Sequence, residues 1–408
     1  MKKLWIPLLI VAALVGAYLV VNSRLDARAR AAVAAMKAAG HPMTAEDLDP
    51  VFNAGSESTA KVVEAAAAML NDEDIAQLKY LDTLGWRKDR AGLQTFLARN
   101  AKVYELVMLV SAMPPADFGM NIRDGLAAKI TTNLQQIAGF RTLLRIQARE
   151  LTASGQPDSA LRALDASAAL THIFAEPVFI YHLVSMLRMD SVFTEAAEVA
   201  PKAGVPAIER LIARFQGLDF KADQYRAVQA DVVTTDIGIV RGQTMTLKAF
   251  GGLVGFLLRA LPPCRNYPRA RFLELIARQL EVLPKPSYEG REALAQLDSL
   301  GQRGKDLMSR LAAAYSFNVS EFYGRAERMT AWRDIAVLGL RALVLKKRTG
   351  RLPAKLEDFA TDAPLDRFSG KPYVYRVLPD GFMVHSVGTD GKDDNGTARE
   401  DLVFKVNL

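Results

Sequence analysis

The spacing of apolar positions changes twice along this chain, and each regime predicts a different kind of element. Residues 4–21 are an unbroken apolar run without a charge, at the short end of what spans a bilayer as a helix. Trp5 and Tyr18 stand near its two ends, where amphipathic rings favour the membrane interface. Pro7 falls in the first turns, where a missing amide proton does least harm. A cleavable signal peptide is the competing reading, with Val15-Gly16-Ala17 as its cleavage site. Cleavage there would leave Tyr18-Leu19-Val20-Val21 as an exposed apolar start, so the run is read as an uncleaved signal anchor over residues 1–24. Lys2, Lys3 and the free amine on one side slightly outweigh Arg24, Arg28 and Arg30 offset by Asp26 on the other. That balance places the N-terminus in the cytoplasm and the body outside, as in a bacterial inner-membrane protein facing the periplasm.

Residues 25–325 carry the second regime, with apolar positions at helical spacing between proline and glycine turns. Thr44 followed by Glu46 and Asp47 is a helix start. Residues 58–70 and 89–110 read as helices, the latter from Leu93, Phe96, Leu97, Leu106, Leu109 and Val110. Around the turn Gly155-Gln156-Pro157-Asp158, Phe140, Leu143, Leu144 and Leu151 face Ala160, Leu161, Leu164 and Ala168. This hairpin resembles one tetratricopeptide-type unit, but no sustained period follows. A generic helical bundle or short α-solenoid is the preferred reading. Residues 207–215, 244–261 and 269–283 continue in kind, with 253–261 read as a buried core helix.

The third regime, over residues 326–408, is a helix followed by alternating runs. Residues 331–348 present an apolar face and end in Lys346, Lys347 and Arg348, which complement the helix dipole. Tyr373-Val374-Tyr375-Arg376-Val377, the turn Pro379-Asp380-Gly381, and Phe382-Met383-Val384-His385-Ser386-Val387 predict a hairpin. Asp401-Leu402-Val403-Phe404-Lys405-Val406 is a third strand. The fold class is therefore mainly α, with an N-terminal transmembrane helix, a helical body and a small α+β module with a three-stranded antiparallel sheet.

Composition narrows the function classes. The 408 residues are 50% hydrophobic and 24% charged, which excludes wholesale disorder. A net charge of +7 is dispersed among acids with no basic block, so nucleic acid is not an expected partner. Cys264 is the sole cysteine, which rules out an intrachain disulfide, and it reads as a small apolar filler after Pro262-Pro263. No nucleophile elbow, zinc-protease motif, phosphate loop or paired-cysteine motif occurs. His172 and His182, ten positions apart, do not form a metal pair on one helix face. Nothing in the spacing of Glu150, Asp158, Asp165 and Glu176 selects two of them for acid–base work.

One segment is chemically dense: Ser386-Val387-Gly388-Thr389-Asp390-Gly391-Lys392-Asp393-Asp394-Asn395-Gly396, followed by Asp401. Carboxylates crowded this tightly repel unless solvated or sharing a cation, and hard oxygens on a flexible loop suit Ca²⁺. The order of helix, Gly350-Arg351-Leu352-Pro353 turn, Asp366-Arg367-Phe368-Ser369-Gly370-Lys371-Pro372, hairpin, acidic loop and final strand resembles the C-terminal half of the major pseudopilin of type II secretion systems. The resemblance implies that Ser386, Asp390, Asp393 or Asp394, and Asp401 hold Ca²⁺ and fix the last strands. It covers roughly the last fifth of the chain. The pseudopilin leader, its glycine cleavage site and its helix glutamate are absent, which argues against a processed filament subunit.

The expected function is a non-enzymatic, single-pass envelope protein. It acts as a scaffold or interaction module, held by the membrane through residues 4–21 and partnered by other envelope or secretion proteins. The alternatives are an envelope hydrolase with its site in the helical body, or a helical-repeat adaptor for peptides. An enzyme requires a deep pocket with converging titratable groups, and an adaptor an open concave surface.

Overall fold

The computed structural model describes residues 5–52, 54–85, 88–243, 262–302, 319–397 and 401–408. The apolar helix expected over 244–261 lies outside the described residues, as do Lys2, Lys3 and the side chain of Cys264. The protein is mainly α, with one antiparallel sheet at its C-terminus.

The chain opens with α1 (Trp5–Ala38), a single unbroken helix. Its first half is exposed, with Leu9, Ile10, Leu14 and Leu19 facing outward, and it is long and apolar enough to cross a membrane. Its second half packs into the body. Ala29 and Met36 are buried, Arg28 pairs with Glu274, and Asn266 donates to Asn22 at 3.0 Å. The boundary expected after residue 24 thus falls inside a continuous helix.

α2 (Ala45–Phe52) starts where expected: Thr44 Oγ1 accepts from the Asp47 N–H at 3.2 Å, and the Asp47 carboxylate accepts from the Thr44 N–H at 2.9 Å. α3 (Glu57–Ala68) and α4 (Asp72–Tyr80) follow, capped by Ser56 and Asn71. The helix expected over 89–110 is two, α5 (Arg90–Arg99) and α6 (Ala101–Val110), because Asn100 turns its amide back to the Phe96 carbonyl at 3.1 Å. α7 (Leu134–Ala153) and α8 (Pro157–Ala169) form the expected hairpin, with Gly155 left-handed at φ +74° and Pro157 in the first turn of α8. Next come α9 (Phe179–Met186), α10 (Met189–Val199), α11 (Val205–Gln216) and α12 (Phe220–Val240). After the undescribed stretch come α13 (Pro262–Val282), α14 (Ser287–Gln302) and α15 (Val319–Thr349). The boundary expected at 325/326 lies within α15.

The sheet has the order β1 (Val374–Leu378), β2 (Gly381–Ser386), β3 (Leu402–Asn407), all antiparallel. Tyr375 stands opposite Val384, and Val384 opposite Phe404. The face carrying Phe382, Val384, Phe404 and Val406 joins one core with α15, α8, α10 and α11. A second core lies among α3 to α7, and a third joins α1 to α12, α13 and α14.

Candidate functional site

Alternation along β2 decides how the acidic loop can be used. Successive side chains of a strand point to opposite faces. Ser386 shares the inner face with Val384, and its hydroxyl donates to Asp366 Oδ1 at 2.8 Å. Asp366 also accepts from the Val387 N–H at 3.0 Å and the Phe368 N–H at 3.0 Å. Ser386 Oγ also accepts from the Gly388 N–H at 3.2 Å, so its hydroxyl ties the root of the loop to Asp366 and locks the Asp366-Arg367-Phe368 turn onto the sheet.

His385 faces the other way, and the loop folds over it. The loop reverses through left-handed residues at Gly391, Asn395 and Gly396 (φ +73°, +64° and +72°) and lays Gly396 against Met383 and Val403. This covering leaves His385 fully buried. Donor atoms of His385, Asp393 and Asp401 lie within 4.8 Å of one another. His385 Nε2 sits 3.0 Å from Asp393 Oδ1. That hydrogen bond, with one from the Asn395 N–H, holds the Asp393 carboxyl below its usual range. Asp401 accepts from the Gly396 N–H at 2.8 Å through Oδ2, while its Oδ1 is buried without a partner.

Of the five residues expected to hold a cation, the structure brings together Asp393 and Asp401. Asp390 instead accepts from the Lys392 N–H at 3.1 Å, and Asp394 lies outside the cluster. The unpartnered Asp401 oxygen fits a cation. The imidazole is a nitrogen donor that the all-oxygen expectation did not include; the two carboxylates suit calcium, and the imidazole admits a borderline ion as well. Nothing in the sequence set His385 apart; its contribution follows from the strand register and the fold-back of the loop.

The helical body contains a second constellation, a cleft of about 440 Å³ lined by His172, Phe174, Glu176, Tyr181, His182 and Asp223 among others. Long-range backbone pairing builds one wall. The Ala116 N–H donates to the Ile173 carbonyl at 2.8 Å, and the Ala175 N–H to the Ala116 carbonyl at 2.9 Å. Phe174 stacks on Tyr181 with centroids 4.3 Å apart. Glu176 Oε1 accepts from the Phe118 N–H at 2.7 Å, and burial raises the Glu176 carboxyl above its ordinary range. Burial works the same way on Asp223, but the hydrogen bond from His172 and the charges of His172 and Arg226 outweigh it and hold that carboxyl low. Burial lowers His182 to about 4, so its imidazole is neutral at physiological pH. The two histidines, ten positions apart in the sequence, line one cleft because the chain reverses between α8 and α9.

Comparison with protein families, with curated proteins and with solved structures finds no match for this chain.

Proposed function

We propose that the chain is a single-pass, membrane-tethered envelope protein whose helical body serves as scaffold or interaction surface and whose C-terminal module is stiffened by a divalent cation, Ca²⁺ first. The observation that carries the reading is α1, apolar and exposed along its first half and built into the core along its second. A helix of this kind joins a bilayer to a folded body without a flexible linker. The convergence of His385, Asp393 and Asp401 beneath the acidic loop supports the cation. A long helix packed on a three-stranded antiparallel sheet supports the kinship with the pseudopilin C-terminal half, and with it a secretion-related partner. In this reading the body faces the periplasm and makes no chemical conversion of its own.

The test uses the full chain in detergent. Calcium at a hundredfold excess over its Kd stabilises the native state by about 2–3 kcal/mol. The thermal midpoint then rises with calcium and falls back with chelator, and Asp401→Asn abolishes the response. No shift at millimolar calcium removes the calcium claim, and a response to zinc alone assigns the site to an ion that prefers imidazole. Resistance to alkaline extraction, with protease access to the body from the periplasmic side only, tests the tether and its orientation.

A further inference from the structure

The cleft in the helical body has an unbalanced acid. Asp223 is matched by Arg226 and by His172, whose Nε2 stands 3.4 Å from its carboxylate. Glu176 has no such match: among the described residues no basic side chain pairs with it. It is 1% exposed, one oxygen accepts from the Phe118 N–H, and the other is buried with no hydrogen-bond partner. A second buried atom in the same cleft, His182 Nε2, is also unpartnered on a side chain only 7% exposed. Leaving such groups unsatisfied costs free energy. Two in one hollow, beside a stacked aromatic pair, are the features of a site that awaits a partner.

The chemistry of the missing partner can be read from its surroundings. It must donate a hydrogen bond to a carboxylate and sit against the rings of Phe174 and Tyr181, a combination that attracts a cation through charge and through the ring quadrupole. A metal ion is a poorer fit, because the described residues bring three metal-binding side chains together only in the C-terminal loop. An anion meets two acids here. Pro50, Pro115 and Pro177 also line the hollow, each with its own backbone φ fixed by its ring.

We infer that this cleft binds an organic ammonium group, either a free amine or the terminal amine of a peptide, with Glu176 as its counter-charge and the Phe174–Tyr181 pair as its aromatic wall. The inference stands apart from the calcium and membrane readings and survives the failure of either.

The probe is benzylamine, charged at neutral pH, compared with uncharged benzyl alcohol by saturation-transfer NMR on the full chain in detergent. Benzylamine binds saturably, benzyl alcohol about tenfold more weakly or not at all, and Glu176→Gln lowers benzylamine affinity by about tenfold. Ala54→Phe is the second variant. Ala54 is an exposed residue lining the cleft, so a bulky ring there blocks entry while leaving the core intact. A Phe-Gly-Gly peptide with a free amine, set against its acetylated form, separates the sources: discrimination between them assigns a peptide terminus, and binding of benzylamine alone assigns a small amine. Equal binding of amine and alcohol, undiminished affinity in both variants, or no binding of any amine overturns the inference.

Discussion

Asp366 shows how much one side chain can organise at the residue scale. It is 1% exposed and accepts hydrogen bonds from the Ser386 hydroxyl and the Val387 and Phe368 amides. Asp366→Ala leaves three buried donors unsatisfied and is expected to cost about 2–4 kcal/mol in chemical denaturation. Asp366→Asn keeps one acceptor oxygen and costs less. His182 makes a different prediction. Its folded pKa of about 4 lies below the ordinary 6.5. Between those values the unfolded chain holds a proton on this side chain that the folded chain does not. Stability therefore rises with pH across that window and is lost as pH falls through it, on the order of 3 kcal/mol in full. His182→Gln should flatten this part of the acid limb when urea midpoints are compared at pH 6.5 and 4.5. These roles differ in how visible they are before folding. Asp393 and Asp401 stand out by density of charge alone. His385 and Ser386 are neighbours in sequence, yet strand alternation sends one to the loop and the other to Asp366. Glu176, His172 and His182 come together at the reversal between α8 and α9, which pairing with residue 116 pins and Asp223 of α12 completes, long-range events that no local spacing encodes.

Elements were legible where a local period or a turn signal carries them. The three strands sit within a residue or so of their alternating runs, and the α7–α8 hairpin turns at Gly155 as read. The break at Asn100 was hidden because the apolar spacing continues across it. The length of α15 was hidden too: the apolar face of residues 331–348 is only its second half. It comes close to the sheet at Gly339, where a Cβ would overlap the Phe404 ring. Gly339→Ala is expected to destabilise by about 1–3 kcal/mol through overpacking, read from the thermal midpoint. In α1 the two halves have separable effects. Removing residues up to 21 takes away only the exposed apolar run and should yield a folded protein that no longer partitions with membranes. Removing residues up to 38 also deletes Ala29, Met36 and the Arg28–Glu274 pair, and should lower the thermal midpoint further.

Over the whole molecule, sequence pattern suggests a modular chain, whereas the packing is continuous. The inner face of the sheet shares one core with α8, α10, α11 and α15, and buried Glu327 on α15 joins Lys221 of α12 to Arg367 of the turn before the sheet, at 2.7 and 2.9 Å. A fragment of residues 319–408 should therefore lack a cooperative unfolding transition and bind hydrophobic dyes, because Ile335, Leu338 and Leu343 lose their cover. Such continuity also bears on the tether. From Asn22 to Ala38 the first helix runs on without a hinge for roughly 25 Å, clasped by α13. The protein is thus denied the swivel of an ordinary leash. With its exposed half set in a bilayer, as proposed, tilting that shaft must tip everything mounted on it, so whatever surface the body presents is aimed at a set angle to the membrane.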